Sequence, residues 1–155
     1  IFECFDGLFK SASGTCSSYN TSSVLNLDKI LCIFFGENIF TNLNNNEYNK
    51  TVDVRSAEEF NAIKLLQYNI PVITIEQHQL LHRHLYLAGI IVFYGLFKNK
   101  KYIRNKLLEI SNNRQYKILI GCSKGRLRSP AVWLYARFLG IDAKILKYGV
   151  KHYAN

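Results

Sequence analysis

The chain has 155 residues, enough for one domain with a substantial core. Its 48% hydrophobic and 20% charged content is that of an ordinary globular protein rather than a disordered or fibrous one. Net charge is +9 but unevenly placed: residues 1–97 hold six Lys/Arg against nine Asp/Glu, and residues 98–155 hold fourteen against two. The C-terminal third therefore has the sign expected for RNA, phosphate or another anionic partner, although a solvated basic surface has the same sign. The longest apolar stretch, Leu85 to Phe97, is too short to span a bilayer and reads as a buried helix, so no membrane association is expected.

The chain contains no Met and so reads as a fragment, a processed product or a trimmed form. Its start, Ile1 to Lys10, carries Glu3 and Asp6 and makes a poor signal peptide. The cysteines are Cys4, Cys16, Cys32 and Cys122, with no C-x-x-C spacing. That argues against a zinc knuckle or redox dithiol, and the simpler expectation is a reducing, cytoplasmic compartment.

Residues 1–50 read as an N-terminal extension of unassigned role. Ser11–Ser23 and Asn42–Asn49 have loop composition, and the apolar run Ile30–Phe35 between them reads as a short strand. From residue 51 the pattern alternates. Thr51–Arg55 reads as a strand, and Ser56 starts a helix with Glu58 and Glu59 in its first turn, where the helix dipole favours negative charge. Ile70–Ile75 reads as a second strand. Glu76 to about Asn112 reads as two or more helices, broken near Gly89 or between Gly95 and Lys101. Lys117–Gly121 reads as a buried strand. Ser129–Leu139 reads as a helix with Ser129 as N-cap, Pro130 at N1 and Gly140 closing it, and Ala143–Leu146 as a last strand. Residues 51–155 thus form an α/β domain with a mainly parallel central sheet flanked by helices.

The most informative segment is Cys122-Ser123-Lys124-Gly125-Arg126-Leu127-Arg128-Ser129. Cys122 follows an apolar strand and precedes a helix start, the place where sites form in parallel sheets. A loop here curls back, Gly125 permits its tight backbone, and inward N–H groups make a nest for an anion or thiolate. Arg128 adds a bidentate donor to that anion. This is the layout of a cysteine that attacks or carries an anionic group. A buried Asp53–Arg55 pair at a strand end would brace neighbouring loops, with Arg55 expected to reach Glu58 or Glu59. His78 and His82 share a helix face, but Gln79 stands where the zinc-protease pattern needs Glu, and no metal is expected.

Two families use such a loop. C-x5-R followed by Ser or Thr is the signature of cysteine-dependent phosphatases, which usually have His before the cysteine where this chain has Gly121. C-x-x-G-x-x-R-S resembles the active loop of rhodanese-like sulfurtransferases, in particular the rhodanese domain of tRNA 2-selenouridine synthases. Asp53-Val54-Arg55-Ser56-Ala57-Glu58-Glu59-Phe60 resembles the opening motif of that domain, Ile70-Pro71 a following segment, and Tyr148-Gly149-Val150-Lys151-His152-Tyr153 its close. The chain departs from the pattern at Ser123, where an aromatic is usual, at Arg126 and Tyr148, where glycines are usual, and around Ile70-Pro71, where a His and a Gly are absent.

The resemblance covers about residues 50–155 and implies a rhodanese-like fold with Cys122 as nucleophile, carrying sulfur or selenium as a persulfide or selenopersulfide. Residues Ser123 to Ser129 would hold the anion, with Asp53, Arg55, Glu59 and Gly149 supporting the loop. It implies tRNA as acceptor, a sulfane-sulfur donor or selenophosphate as source, and no bound cofactor. No G-x-x-x-x-G-K-[ST] occurs in the chain, so the family's P-loop domain is missing from it, and the chain reads either as one half of a split enzyme with a separate P-loop subunit as partner or as a fragment. A C-x5-R phosphatase and a non-catalytic rhodanese-like binding module remain the alternatives.

Overall fold

The computed structural model describes residues 27–154. Five strands form one sheet in the order β1-β5-β4-β2-β3, with every pairing parallel. They are β1 (Phe40–Thr41), β2 (Lys50–Asp53), β3 (Tyr68–Asn69), β4 (Ile118–Gly121) and β5 (Ala143–Leu146). The helices are α1 (Leu27–Phe35), α2 (Ala57–Ala62), α3 (Ile75–Arg83), α4 (Ala88–Lys98), α5 (Lys100–Ile110), α6 (Arg128–Phe138) and α7 (Val150–Tyr153). This is the expected α/β architecture, a parallel sheet flanked by helices.

Strand alternation divides the core in two. Val52, Ile118, Ile120, Ala143 and Ile145 point to one face, under α1, α4, α5 and α6. Leu119 and Leu146 point to the other, where Ile63, Leu65, Leu66 and Val150 cover them. Both faces of β4 are buried, which is why Ile118-Leu119-Ile120 is uniformly apolar. The registers place Val52 beside Ile120, and Ile120 beside Ile145, so the central three strands share one apolar ridge. Trp133 of α6 anchors that side by donating its indole N–H to the Ala143 carbonyl at 2.7 Å.

Several expected elements differ. Ile30–Phe35 is part of a helix rather than a strand: Leu27 and Leu31, four apart, face the core, while Ile33, Phe34 and Phe35 stay exposed. Phe35 nonetheless meets Trp133 edge-on, with centroids 5.2 Å apart. Residues 27–49 do not stand apart, because β1 pairs with β5 and α1 packs into the same core. The strand expected at Ile70–Ile75 is only Tyr68–Asn69. Pro71 has no N–H to give a ladder, and Thr74 caps α3 through a reciprocal capping box with Gln77. The stretch expected as a buried helix, Leu85–Phe97, is buried along one side only: Ala88, Ile91, Val92 and Gly95 pack inward, whereas Ile90, Tyr94 and Phe97 are exposed. Gly95 is required there, since a Cβ would lie 2.6 Å from the Val72 carbonyl oxygen. The run Ser11–Ser23 and most of the N-terminal extension lie outside the described residues.

Candidate functional site

The chain leaves β2 towards α2 on one face of the sheet and leaves β4 towards α6 on the other. Their carboxyl ends are neighbours, with Val54 N–H still bonded to the Gly121 carbonyl at 2.9 Å. Such a divergence is where parallel sheets hold their ligands. Cys122 lies at this point, 3% exposed.

The sulfur sits inside the loop that follows it. Gly125 N–H donates to Cys122 Sγ at 3.2 Å, and Ser129 Oγ lies 3.3 Å from the same atom. Gly125 makes the inward turn with φ of +71°, a conformation that other residues rarely take. From outside, Val150 N–H donates to the Cys122 carbonyl at 2.8 Å and Lys151 N–H to the Ser123 carbonyl at 3.2 Å. This clasp needs glycine at 149: φ is +76°, and a Cβ would stand 2.6 Å from Lys124 Cα. On a third side, Asp28 N–H donates to the Arg126 carbonyl at 3.2 Å.

Ser129 was expected as the N-cap of α6. The helix instead begins at Arg128 after Leu127, and Ser129 Oγ faces the sulfur. Gly140 closes α6 as expected, at φ of +77°.

Arg128 and Glu59 form the main electrostatic pair. Arg128 donates to Glu59 at 2.6 Å and 3.2 Å and to Ser123 Oγ at 2.9 Å, and Ser123 Oγ donates to Glu59 at 2.8 Å. Burial alone would raise the Glu59 pKa. The hydrogen-bonded Arg128 charge, the Ser123 hydroxyl and the Ser56 N–H outweigh it and bring the pKa down to about 2. Burial likewise opposes the Arg128 charge, but its bonds to Glu59 and the charges of Cys122, Glu59 and Asp53 hold it protonated more firmly than a free arginine.

The expected Arg55–Glu59 contact does not form. Glu59 is the N3 residue of a capping box with Ser56, which fixes its carboxylate at the start of α2, facing the Cys122 loop. Arg55 folds back on its own strand end instead. It donates to Asp53 at 3.0 Å and 2.7 Å, and to the Ile63 carbonyl at 2.8 Å, so the buried Asp53–Arg55 pair ties the end of β2 to the end of α2. The expected bracing role belongs to this pair, and the electrostatic contact with the loop belongs to Glu59.

Lys124 is exposed, and Arg126 is half-buried, its charge acting on the Asp28 carboxyl. His78 joins the site without having been expected there: its Nε2 lies 3.4 Å from Glu59 Oε1. The Thr74-x-x-Gln77 box was the available signal, because it starts α3 and sets His78 in the first turn.

No family model matches the chain, and no curated protein does. Among solved structures it is similar to the N-terminal domain of a candidate ATP/GTP-binding protein from Clostridium difficile 630. The two share 23% identity and superpose with a TM-score of 0.55 over 66% of this chain and 84% of the other. That likeness extends the α/β fold described above to a second protein.

Proposed function

We propose that this chain is a rhodanese-like chalcogen-transfer unit of the tRNA 2-selenouridine synthase kind, with Cys122 as the carrier. The observation that carries the reading is the sulfur at the floor of its own loop, facing the Gly125 N–H and the Ser129 hydroxyl. With thiosulfate as donor, the Cys122 thiolate attacks the outer sulfur. The S–S bond of the donor breaks, sulfite leaves with the electron pair, and an anionic persulfide remains in the nest of N–H groups.

Charge balance supports a singly charged cargo. Arg128 is already paired with Glu59, and Arg126 acts on Asp28, so the excess positive potential comes from Lys124 and the loop N–H groups. A dianionic phosphate would call for more. One observation favours the C-x5-R phosphatase as a second reading: Ser129, directly after the arginine, lies on the sulfur. Turnover of an aryl phosphate, lost in Cys122→Ser, would carry that reading instead.

The acceptor in the proposal is tRNA, in keeping with the basic C-terminal third. A separate P-loop unit is the partner that the proposal implies. The test is mass spectrometry after incubation with thiosulfate. Wild type should gain one sulfur atom on Cys122, and Cys122→Ser none. An unchanged wild-type mass sinks the proposal.

A further inference from the structure

We infer that Tyr148 and His152 form a shelf on which a nucleobase of a single-stranded polynucleotide stacks beside the Cys122 loop. The inference rests on the chalcogen-carrier reading for what the base is brought to, and on separate observations for the shelf itself.

The first observation is backbone strain. Tyr148 has φ of +68°, a conformation that bulky L-residues rarely take, and Gly149 follows at +76°. Two successive left-handed residues turn the chain from β5 into α7 tightly enough for Val150 and Lys151 to reach the Cys122 and Ser123 carbonyls. Glycine at 148 would make the same turn without strain. The tyrosine keeps a ring at the rim of the loop, and strain retained beside a reactive group points to a role for the side chain.

The second is the company of that ring. Tyr148 is 37% exposed, and its centroid lies 5.0 Å from the ring of His152, which in turn meets Tyr153 at 5.1 Å. Lys147 Nζ lies over the Tyr148 ring at 5.3 Å. Tyr153 is fixed from behind by its hydroxyl bond to Asn42 Oδ1 at 3.1 Å. The cluster is therefore held in place, with exposed rings at its outer end.

The third is position and charge. The backbone of Lys124 abuts Gly149, and Lys124, Lys147 and Lys151 are all exposed around the rings. Aromatic faces interleaved with cations are what single-stranded nucleic acids bind, base on ring and phosphate on lysine. A bare polyanion or an acidic peptide would use the lysines and have no need of the rings.

The full chain is titrated with a fluorescein-labelled oligouridylate and, separately, with inorganic polyphosphate. Wild type should bind the oligouridylate. Tyr148→Gly and His152→Ala should each weaken that binding on the order of tenfold, within the range for loss of one stacked base, while Tyr148→Phe binds like wild type. Polyphosphate binding should not respond to Tyr148→Gly. Thermal melting of each variant reports folding, and Tyr148→Gly, which relieves the positive φ, should melt no lower than wild type. If wild type does not bind the oligouridylate, if Tyr148→Gly binds it as well as wild type, or if both probes weaken equally, the shelf is refuted. Thiosulfate loading of wild-type Cys122 is measured alongside. Stacking without loading refutes the carrier and leaves the shelf, and loading without stacking does the reverse.

Discussion

Glu59→Gln removes one charge from the middle of the site and keeps an oxygen for the Ser56 cap. In the wild type the carboxylate is 17% exposed and Arg128 9%, so little water screens the pair. A fall in the Glu59 pKa from 4.5 to about 2 corresponds to roughly 3 kcal/mol of stabilisation at neutral pH. Removing one partner from a buried pair costs a similar amount, about 3–5 kcal/mol, because Arg128 is left without its counter-charge. We expect Glu59→Gln to lose about 3 kcal/mol in urea unfolding at pH 7 and to melt roughly 10 °C lower. The pH dependence has a definite sign. The unfolded carboxylate takes up a proton near 4.5 and the folded one only near 2. The contribution is therefore complete above 4.5 and is lost as pH falls towards 2. The gap between wild type and variant should accordingly shrink as the comparison is repeated at about pH 2.5. Equal stability at pH 7, or a gap that stays constant into acid, would refute the role given to the Glu59–Arg128 pair.

Other outcomes follow from the geometry. Gly149→Ala places a Cβ against the Lys124 backbone at a positive φ, and should cost about 2 kcal/mol or more in urea unfolding while abolishing sulfur loading of Cys122. Asp53→Asn leaves Arg55 buried beside a neutral group, and should lose about 3 kcal/mol by the same measurement. Ser129→Ala should leave stability within about 1 kcal/mol and slow persulfide formation about 5- to 10-fold, followed by timed mass spectrometry.

The parallel α/β plan was legible because strand and helix periods alternate from residue 51 and because Ile118-Leu119-Ile120 has no polar face to present to water. The loop was legible because a cysteine, a glycine and three cations within seven residues have few packing explanations. Partner choice was less legible. Arg55 and Glu59 are four apart on paper, yet a capping box turns one away and Asp53, two residues before Arg55, captures the other. The Ser129-Pro130 pair looked like a helix start, but the sulfur competes for the serine hydroxyl and the cap falls two residues earlier, at Leu127. Ile30–Phe35 carried β-favouring side chains, and tertiary packing of Leu27 and Leu31 overrode that preference. The Thr74-x-x-Gln77 box placed His78 in the first turn of its helix, but its neighbour in space, Glu59, comes from another helix.

The groups on the Cys122 sulfur come from its own loop, but the brace on that loop is distant along the chain. Ser123 meets Glu59 across 64 positions, and Arg128 meets it across 69. Closing β2 onto β4 must come first, and non-local parallel pairing of this kind is slow to form. A chain whose β2–α2 unit has not docked therefore has the loop residues without the Glu59 brace on Ser123 and Arg128. Completion of the fold is what fixes the loop around the cysteine.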